Sequence, residues 1–168
     1  MVAPAHGPEP QSRIAGRFLD RRSGDRLCLG AFTAILALTC WRLLTEGTTA
    51  GQDAMTQFYF WNSYLGERLR VFGIPSWNPS QFSGAPFASD PQSGWSYLPA
   101  MGIFTAFPIG IAVPLFIAFH LALAGYSTYW LARGLRIVPL GALTAAAAYM
   151  LSGPIFSRSV CCPAQVQV

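Results

Sequence analysis

Residues 97–132 read YLPAMGIFTAFPIGIAVPLFIAFHLALAGYSTYWLA and contain no charged side chain. Two more apolar stretches flank them: residues 27–44 carry one charge, Arg42, and residues 137–156 carry none. Runs of about 18 or more apolar residues are typical of helices that cross a bilayer, because roughly 30 Å of hydrocarbon must be covered at about 1.5 Å per residue. The three stretches therefore predict an all-helical integral membrane protein.

The composition supports this class and argues against nucleic-acid binding. Only 11% of the 168 residues are charged, against about 25% in soluble domains. The net charge is +4, but the basic residues are not clustered on one predicted surface, as a nucleic-acid interface would require. We therefore expect no nucleic-acid partner. Five of the eleven arginines precede the first apolar stretch: Arg13, Arg17, Arg21, Arg22 and Arg26.

The predicted organisation has three spans. Residues 1–26, rich in Pro, Gly and Arg, are predicted to be a disordered basic tail, followed by a first span over 27–44. A cleaved signal peptide ending near Thr48-Thr49-Ala50 is the alternative for that span. A polar loop over 45–97 follows. Pro108 and Pro114 divide the long apolar stretch into an interfacial or re-entrant segment at 98–108 and a second span at 109–132, and the third span is predicted over 137–156.

The arginines also predict the orientation. Short cytoplasmic segments carry the excess of Lys and Arg, and here arginines occupy the N-terminal tail and the turn at Arg133 and Arg136. We expect both to be cytoplasmic and the 45–97 loop and the 157–168 tail to be external. The tail has no closing element, which predicts a truncated chain or an altered reading frame near Cys161.

An amphipathic helix is predicted at about 54–72 inside the loop. Its apolar residues recur every three or four positions, as on one face of a helix: Met55, Phe58, Trp61, Leu65, Leu69 and Phe72. Beside a span, such a helix is expected to lie in the membrane interface. The alternative is an ordinary helix packed on another domain.

Four motifs over residues 53–153 resemble the N-terminal part of the YfhO family of bacterial membrane proteins. They are Gln52-Asp53 with Gln57-Phe58-Tyr59-Phe60-Trp61; Gly73-Ile74-Pro75-Ser76-Trp77-Asn78-Pro79; Phe82 to Ser93 running on to Tyr97 and Pro99; and His120-Leu121, Ala124-Gly125-Tyr126, Leu131-Ala132-Arg133 and Leu151-Ser152-Gly153. The order and spacing match as a set. The resemblance ends at Cys161-Cys162-Pro163.

This resemblance implies a fragment of a larger multi-span fold, similar to glycosyltransferases of the GT-C architecture, in the bacterial plasma membrane. Such enzymes take sugar from a polyprenyl-phosphate donor and act on the outer face. An acidic residue just after the first span is typically catalytic, and here that position falls on Asp53, as base or as ligand of a divalent cation such as Mg or Mn. Asp53 would also suit a helix N-cap. The alternative function is a non-catalytic scaffold or transport subunit for envelope assembly.

The remaining candidate residues lie in the same loop. Asp90 is a second acidic candidate, although Asp before Pro is also common in turns. Gln57, Asn78 and Gln92 could bind sugar hydroxyls, and Trp77 could offer a stacking surface. Arg68 and Arg70 could meet the phosphate of the donor, or form the solvated face of the amphipathic helix.

Overall fold

The computed structural model describes residues 11–46 and 54–155. The described part is mostly helical, as predicted. Its elements are α1 (Gln11–Glu46), a π-helical turn (Ala54–Phe58), α2 (Tyr59–Arg70), β1 (Trp77–Asn78), β2 (Ala85–Pro86), α3 (Leu98–Ala106), α4 (Ile109–Gly134) and α5 (Pro139–Met150). The strands β1 and β2 form one short antiparallel pair in which Trp77 lies opposite Pro86.

Helix α1 begins much earlier than predicted. It starts at Gln11, so the expectation of a disordered tail up to residue 26 is wrong for residues 11–26. The prolines that suggested disorder, at positions 4, 8 and 10, all precede Gln11. Arginine and leucine, which are frequent after that point, are good helix formers, so nothing in the local sequence stops the helix from extending towards the N-terminus.

Within residues 11–46 and 54–155, two helical segments are long and apolar enough to cross a membrane, Ser23–Trp41 within α1 and the whole of α4, Ile109–Gly134. The third predicted span differs. Helix α5 has 12 residues, or about 18 Å of helix, which is shorter than the roughly 30 Å of a bilayer core. It ends at Met150 because the ring of a proline clashes with the carbonyl four residues before it, and Pro154 stands at that distance.

Helices α1, α4 and α5 share one apolar core. Phe32 of α1 is fully buried and lies over Gly125 of α4, where a Cβ atom would stand 2.0 Å from the Phe32 ring. The close approach also lets the Tyr126 hydroxyl meet that of Thr33 at 2.7 Å. The other buried members of this core are Cys40, Ile117, Leu121, Tyr129, Ala132, Ala142, Ala146 and Met150.

A polar clamp holds one end of this bundle. Asp25 of α1 accepts hydrogen bonds from Arg133 Nε (2.6 Å), Arg133 Nη2 (3.0 Å) and the Tyr129 hydroxyl (2.7 Å). Arg133 also donates through Nη1 to the carbonyl of Ile137, in the turn before α5. The start of the apolar part of α1 therefore lies beside the C-terminal end of α4, and the two helices are antiparallel.

Helix α2 packs on a second core at the opposite end of α4. Phe58, Trp61 and Leu65 are buried there, as the apolar stripe predicted. Further buried members come from the loop, α3 and the first turns of α4: Phe87, Ala100, Phe104, Ala112 and Phe116. The apolar face of α2 is thus covered by the chain itself, and the location of this helix in the membrane interface stays a prediction.

The stripe ends before Phe72. Helix α2 stops at Arg70, and Phe72 adopts a positive φ of 53° with 98% of its surface exposed. The turn carries this side chain away from the face that Leu65 shares with Trp61. The predicted interfacial segment at 98–108 is a separate helix, α3, which ends at Ala106 just before Pro108.

Candidate ligand-binding groove

One cavity among the described residues is a groove of about 520 Å³ between α2 and the turn that follows β1. Its lining mixes aromatic rings with amide, hydroxyl and carboxylate groups. The lining residues are Thr56, Gln57, Phe60, Trp61, Ser63, Tyr64, Glu67, Asn78, Ser80, Gln81 and Phe82. A flat ring beside several hydrogen-bonding groups suits a ligand that has both apolar faces and polar edges.

Hydrogen bonds fix the two walls of the groove relative to each other. The Tyr64 hydroxyl on α2 donates to the carbonyl of Trp77 on β1 at 2.5 Å. Asn78 is buried, and its Oδ1 accepts the backbone N–H of Ser80 at 3.0 Å, which shapes the turn. Ser63 donates to Glu67 Oε1 at 3.2 Å along the α2 wall. The shape of the groove is therefore set by hydrogen bonds within the chain.

Two of the predicted binding residues, Gln57 and Asn78, are brought together in this groove. Trp77 is not part of its lining. The Trp77 ring lies over Gly84, whose φ is +118° and where a Cβ would stand 2.8 Å from the indole. The Trp77 ring packs on the turn between β1 and β2, so the structure does not support a stacking role for Trp77 in this groove.

The sequence analysis missed the aromatic and acidic residues that line the groove from α2. Phe60, Ser63, Tyr64 and Glu67 recur at helical spacing on the side of α2 beside its buried stripe. This second helical repeat is visible in the sequence beside the apolar stripe that contains Trp61 and Leu65. Phe82, which is 88% exposed at the rim of the groove, could not have been found in this way. Only the pairing of β1 with β2 brings the turn that contains Phe82 to α2.

Asp90 and Gln92 lie elsewhere. Asp90 lines a second cavity, of about 290 Å³, formed by residues 88–97. Its Oδ1 accepts the backbone N–H of Gln92 at 2.8 Å, the turn geometry that Asp commonly adopts. Neither residue lines the groove with Gln57 and Asn78. Asp53 lies outside the described residues, so its catalytic role, with Asp90 as a second acidic candidate, remains a prediction.

The two loop arginines are also turned away from the groove. Arg70 donates to the carbonyls of Phe104, Thr105 and Phe107, and so satisfies the C-terminal end of α3. The Arg68 guanidinium stands over Gly73, where a Cβ would be 2.8 Å from Nη2. The solvated-face alternative fits Arg68, which is exposed, and a capping role fits Arg70. Neither arginine lines the groove, so neither could bind a donor phosphate inside it.

A hydrogen-bonded pair links the second cavity to the bundle. His120 of α4 is buried, and its Nδ1 lies 2.8 Å from the carbonyl of Phe116. A carbonyl can only accept, so Nδ1 carries the proton and Nε2 accepts the Tyr97 hydroxyl at 2.8 Å. Burial raises the pKa of Tyr97, which favours the protonated hydroxyl that this bond needs. His120 is therefore a satisfied neutral histidine that holds the loop on α4.

Metal ligands do not converge in the described part of the chain. No group of three or more His, Cys, Asp or Glu side chains with metal-binding geometry occurs among residues 11–46 and 54–155. The predicted divalent cation depends on Asp53 and stays a prediction. Comparison of the chain with protein-family models, with curated proteins and with solved structures finds no match.

Proposed function

We propose that this chain is part of a membrane glycosyltransferase that moves a sugar from a polyprenyl-phosphate donor to an envelope glycan or polymer. In this proposal the groove beside α2 binds the saccharide. The single observation that carries it is the groove lining, where Phe60, Tyr64 and Phe82 stand beside the amides of Gln57, Asn78 and Gln81. Sugar rings present apolar C–H faces and hydroxyl edges, which such a lining complements.

The surface of the bundle supports a membrane setting. Large apolar side chains on α1 and α4 are exposed along both candidate spans: Leu27, Leu38, Trp41, Ile111, Leu123, Trp130 and Leu131. Exposed apolar patches of this extent are costly in water and are covered in a bilayer. Trp41 and Trp130 lie near opposite ends of the antiparallel pair, where tryptophan is enriched in membrane proteins.

The positions of the arginines support an external groove. Arg133 and Arg136 lie at the C-terminal end of α4, whereas α2 and α3 pack on Ala112 and Phe116 near its N-terminal end. If the arginine-rich end is cytoplasmic, as the positive-inside rule favours, the groove faces the outer side. That is the side on which enzymes of the resembled architecture act.

Saccharide binding is tested with a matched pair of aromatic variants. Phe82 and Phe72 are both highly exposed, both have positive φ, and only Phe82 lines the groove. Phe82→Ala should weaken binding of neutral trisaccharides about threefold to tenfold, since an aromatic contact contributes roughly 0.5–1.5 kcal/mol. Phe72→Ala should leave it unchanged. The measurement is calorimetric titration of the chain in lipid nanodiscs with maltotriose and with the N-acetylglucosamine trimer. Equal affinities for the two variants, or no binding by the wild type, would remove the groove from the proposal.

Transfer itself is tested at Asp53. We propose that its carboxylate acts as base or holds a divalent cation, as the family resemblance implies. Asp53→Asn should abolish transfer of radiolabelled sugar from a polyprenyl-phosphate donor in membranes that contain the full-length protein of which we propose this chain is a part, at unchanged protein level. Turnover equal to that of the wild type would rule out Asp53 as the catalytic residue. Binding without transfer in the wild type would favour the scaffold alternative.

A further inference from the structure

We propose that the groove selects saccharides by charge, favouring those with a protonated amino group over acidic ones, and that Glu67 is the selecting residue. This inference rests on the proposed saccharide-binding function of the same groove, and it adds the chemical class of the ligand. It concerns a residue that no motif of the family resemblance contains.

The lining of the groove carries a negative charge. Among the described residues that line the groove, Glu67 is the only one with a charged side chain. The other polar side chains of the lining are mainly amides and hydroxyls, which can bind neutral donors as well as neutral acceptors. A ligand amine in the groove would meet a carboxylate, whereas a ligand carboxylate would meet a like charge.

A hydrogen bond orients the Glu67 carboxylate. Ser63 lies one helical turn before Glu67 and donates to its Oε1 at 3.2 Å. Both residues line the groove. The hydrogen bond holds the carboxylate along the wall of the groove, and a carboxylate can accept several further hydrogen bonds. An ammonium group carries three donors and could use them there.

The nearby arginines of α2 do not line the groove. Arg70 is bound to the C-terminal carbonyls of α3, and Arg68 stands over Gly73; neither lines the groove. No described cation therefore lines the groove to receive an anionic ligand there. It follows that the phosphate of a lipid-linked donor would bind outside the groove, which would hold the acceptor or the sugar ring alone.

The expected size of the effect is modest because Glu67 is exposed to solvent. Pairs of exposed charges change an equilibrium by roughly twofold to fivefold. The preference should also weaken as salt is added, since exposed charges are screened. Both features separate a charge effect from a change in the shape of the groove.

The test uses three trimers of matched length with the full chain in nanodiscs. They are the glucosamine trimer, the N-acetylglucosamine trimer and the galacturonate trimer, titrated calorimetrically at a pH where the amine is protonated. Wild-type protein should bind the glucosamine trimer most tightly and the galacturonate trimer most weakly. Glu67→Gln should weaken glucosamine-trimer binding about twofold to fivefold and strengthen galacturonate binding. Tryptophan fluorescence during SDS titration should give the same unfolding midpoint for Glu67→Gln and the wild type, which shows that the variant is folded.

The outcomes separate the two proposals. If none of the trimers binds, the saccharide-binding function fails, and this inference fails with it. If all three bind with equal affinity, or if Glu67→Gln leaves their order unchanged, saccharide binding stands and charge selection by Glu67 is overturned. Tightest binding of the galacturonate trimer would overturn it as well.

Discussion

Replacing Gly66 by alanine is expected to lower the free energy of unfolding by about 3 kcal/mol, because α2 can no longer dock on α3. An added Cβ would stand 2.2 Å from the carbonyl oxygen of Phe104 and 3.0 Å from its carbonyl carbon. These are backbone atoms, which cannot swing aside as a side chain can. The same carbonyl is also held by Arg70, so α3 cannot easily move away.

Gly102→Ala is the matched control for Gly66→Ala. Gly102 lies on α3, and a Cβ there meets no heavy atom within 4 Å. This variant should be neutral or should stabilise the protein by up to about 1 kcal/mol, because alanine favours the helix over glycine. Both are compared by tryptophan fluorescence during SDS titration of the protein in mixed micelles. Equal unfolding midpoints for the two variants would contradict the close contact of α2 with α3.

Gly66→Ala should also weaken ligand binding in the groove. Helix α2 carries Trp61, Tyr64 and Glu67, and a shift of α2 would strain the hydrogen bond from Tyr64 to Trp77 that joins the walls. The calorimetric titrations proposed above for the groove would detect this. Loss of stability with unchanged trisaccharide affinity would mean that the groove depends on the β1 turn alone.

Arg133→Ala is expected to destabilise the three-helix bundle by about 2–4 kcal/mol. The substitution removes two hydrogen bonds to Asp25 and one to the Ile137 carbonyl, and with them the ion pair between Arg133 and Asp25. Removing one member of a partly buried ion pair is costly, and each hydrogen bond to a charged group contributes roughly 1.5–3 kcal/mol. The estimate is reduced here because Asp25 is 23% exposed.

Arg136→Ala controls for the loss of an arginine charge at the same end of α4. Arg136 is exposed, so its removal should cost less than about 0.5 kcal/mol. Restoring the pair in reverse, with Asp25→Arg and Arg133→Asp combined, should recover part of the stability, since the two residues act as a unit. The same SDS titration measures all of these variants. A cost for Arg133→Ala no larger than that for Arg136→Ala would show that the clamp contributes nothing.

Parts of the candidate site were predictable from local chemistry. Gln57 and Asn78 were expected to bind a ligand, and both line the groove. Asp90 and Gln92 were expected to act with them, but the turn at Asp90 places both in another region of the loop. The contacts of Arg70 were not predictable from local sequence either. Its guanidinium donates to carbonyls at the end of α3 that lie more than thirty positions after Arg70 in the chain.

The sequence by itself determined the helical class, the apolar stretches and the buried stripe of α2, because these depend on periodicity and on the cost of exposing apolar surface. It also determined the break at Pro108, since proline acts through its own ring and its immediate neighbours. Only the tertiary structure decided which segments cover that stripe, where Asp90 and Glu67 lie and which aromatic rings meet the amides. Those outcomes depend on close approaches between distant segments, at Gly66 with Phe104 and at Gly125 with Phe32. No local pattern specifies such pairings, because each is set by the shape of both partners at once.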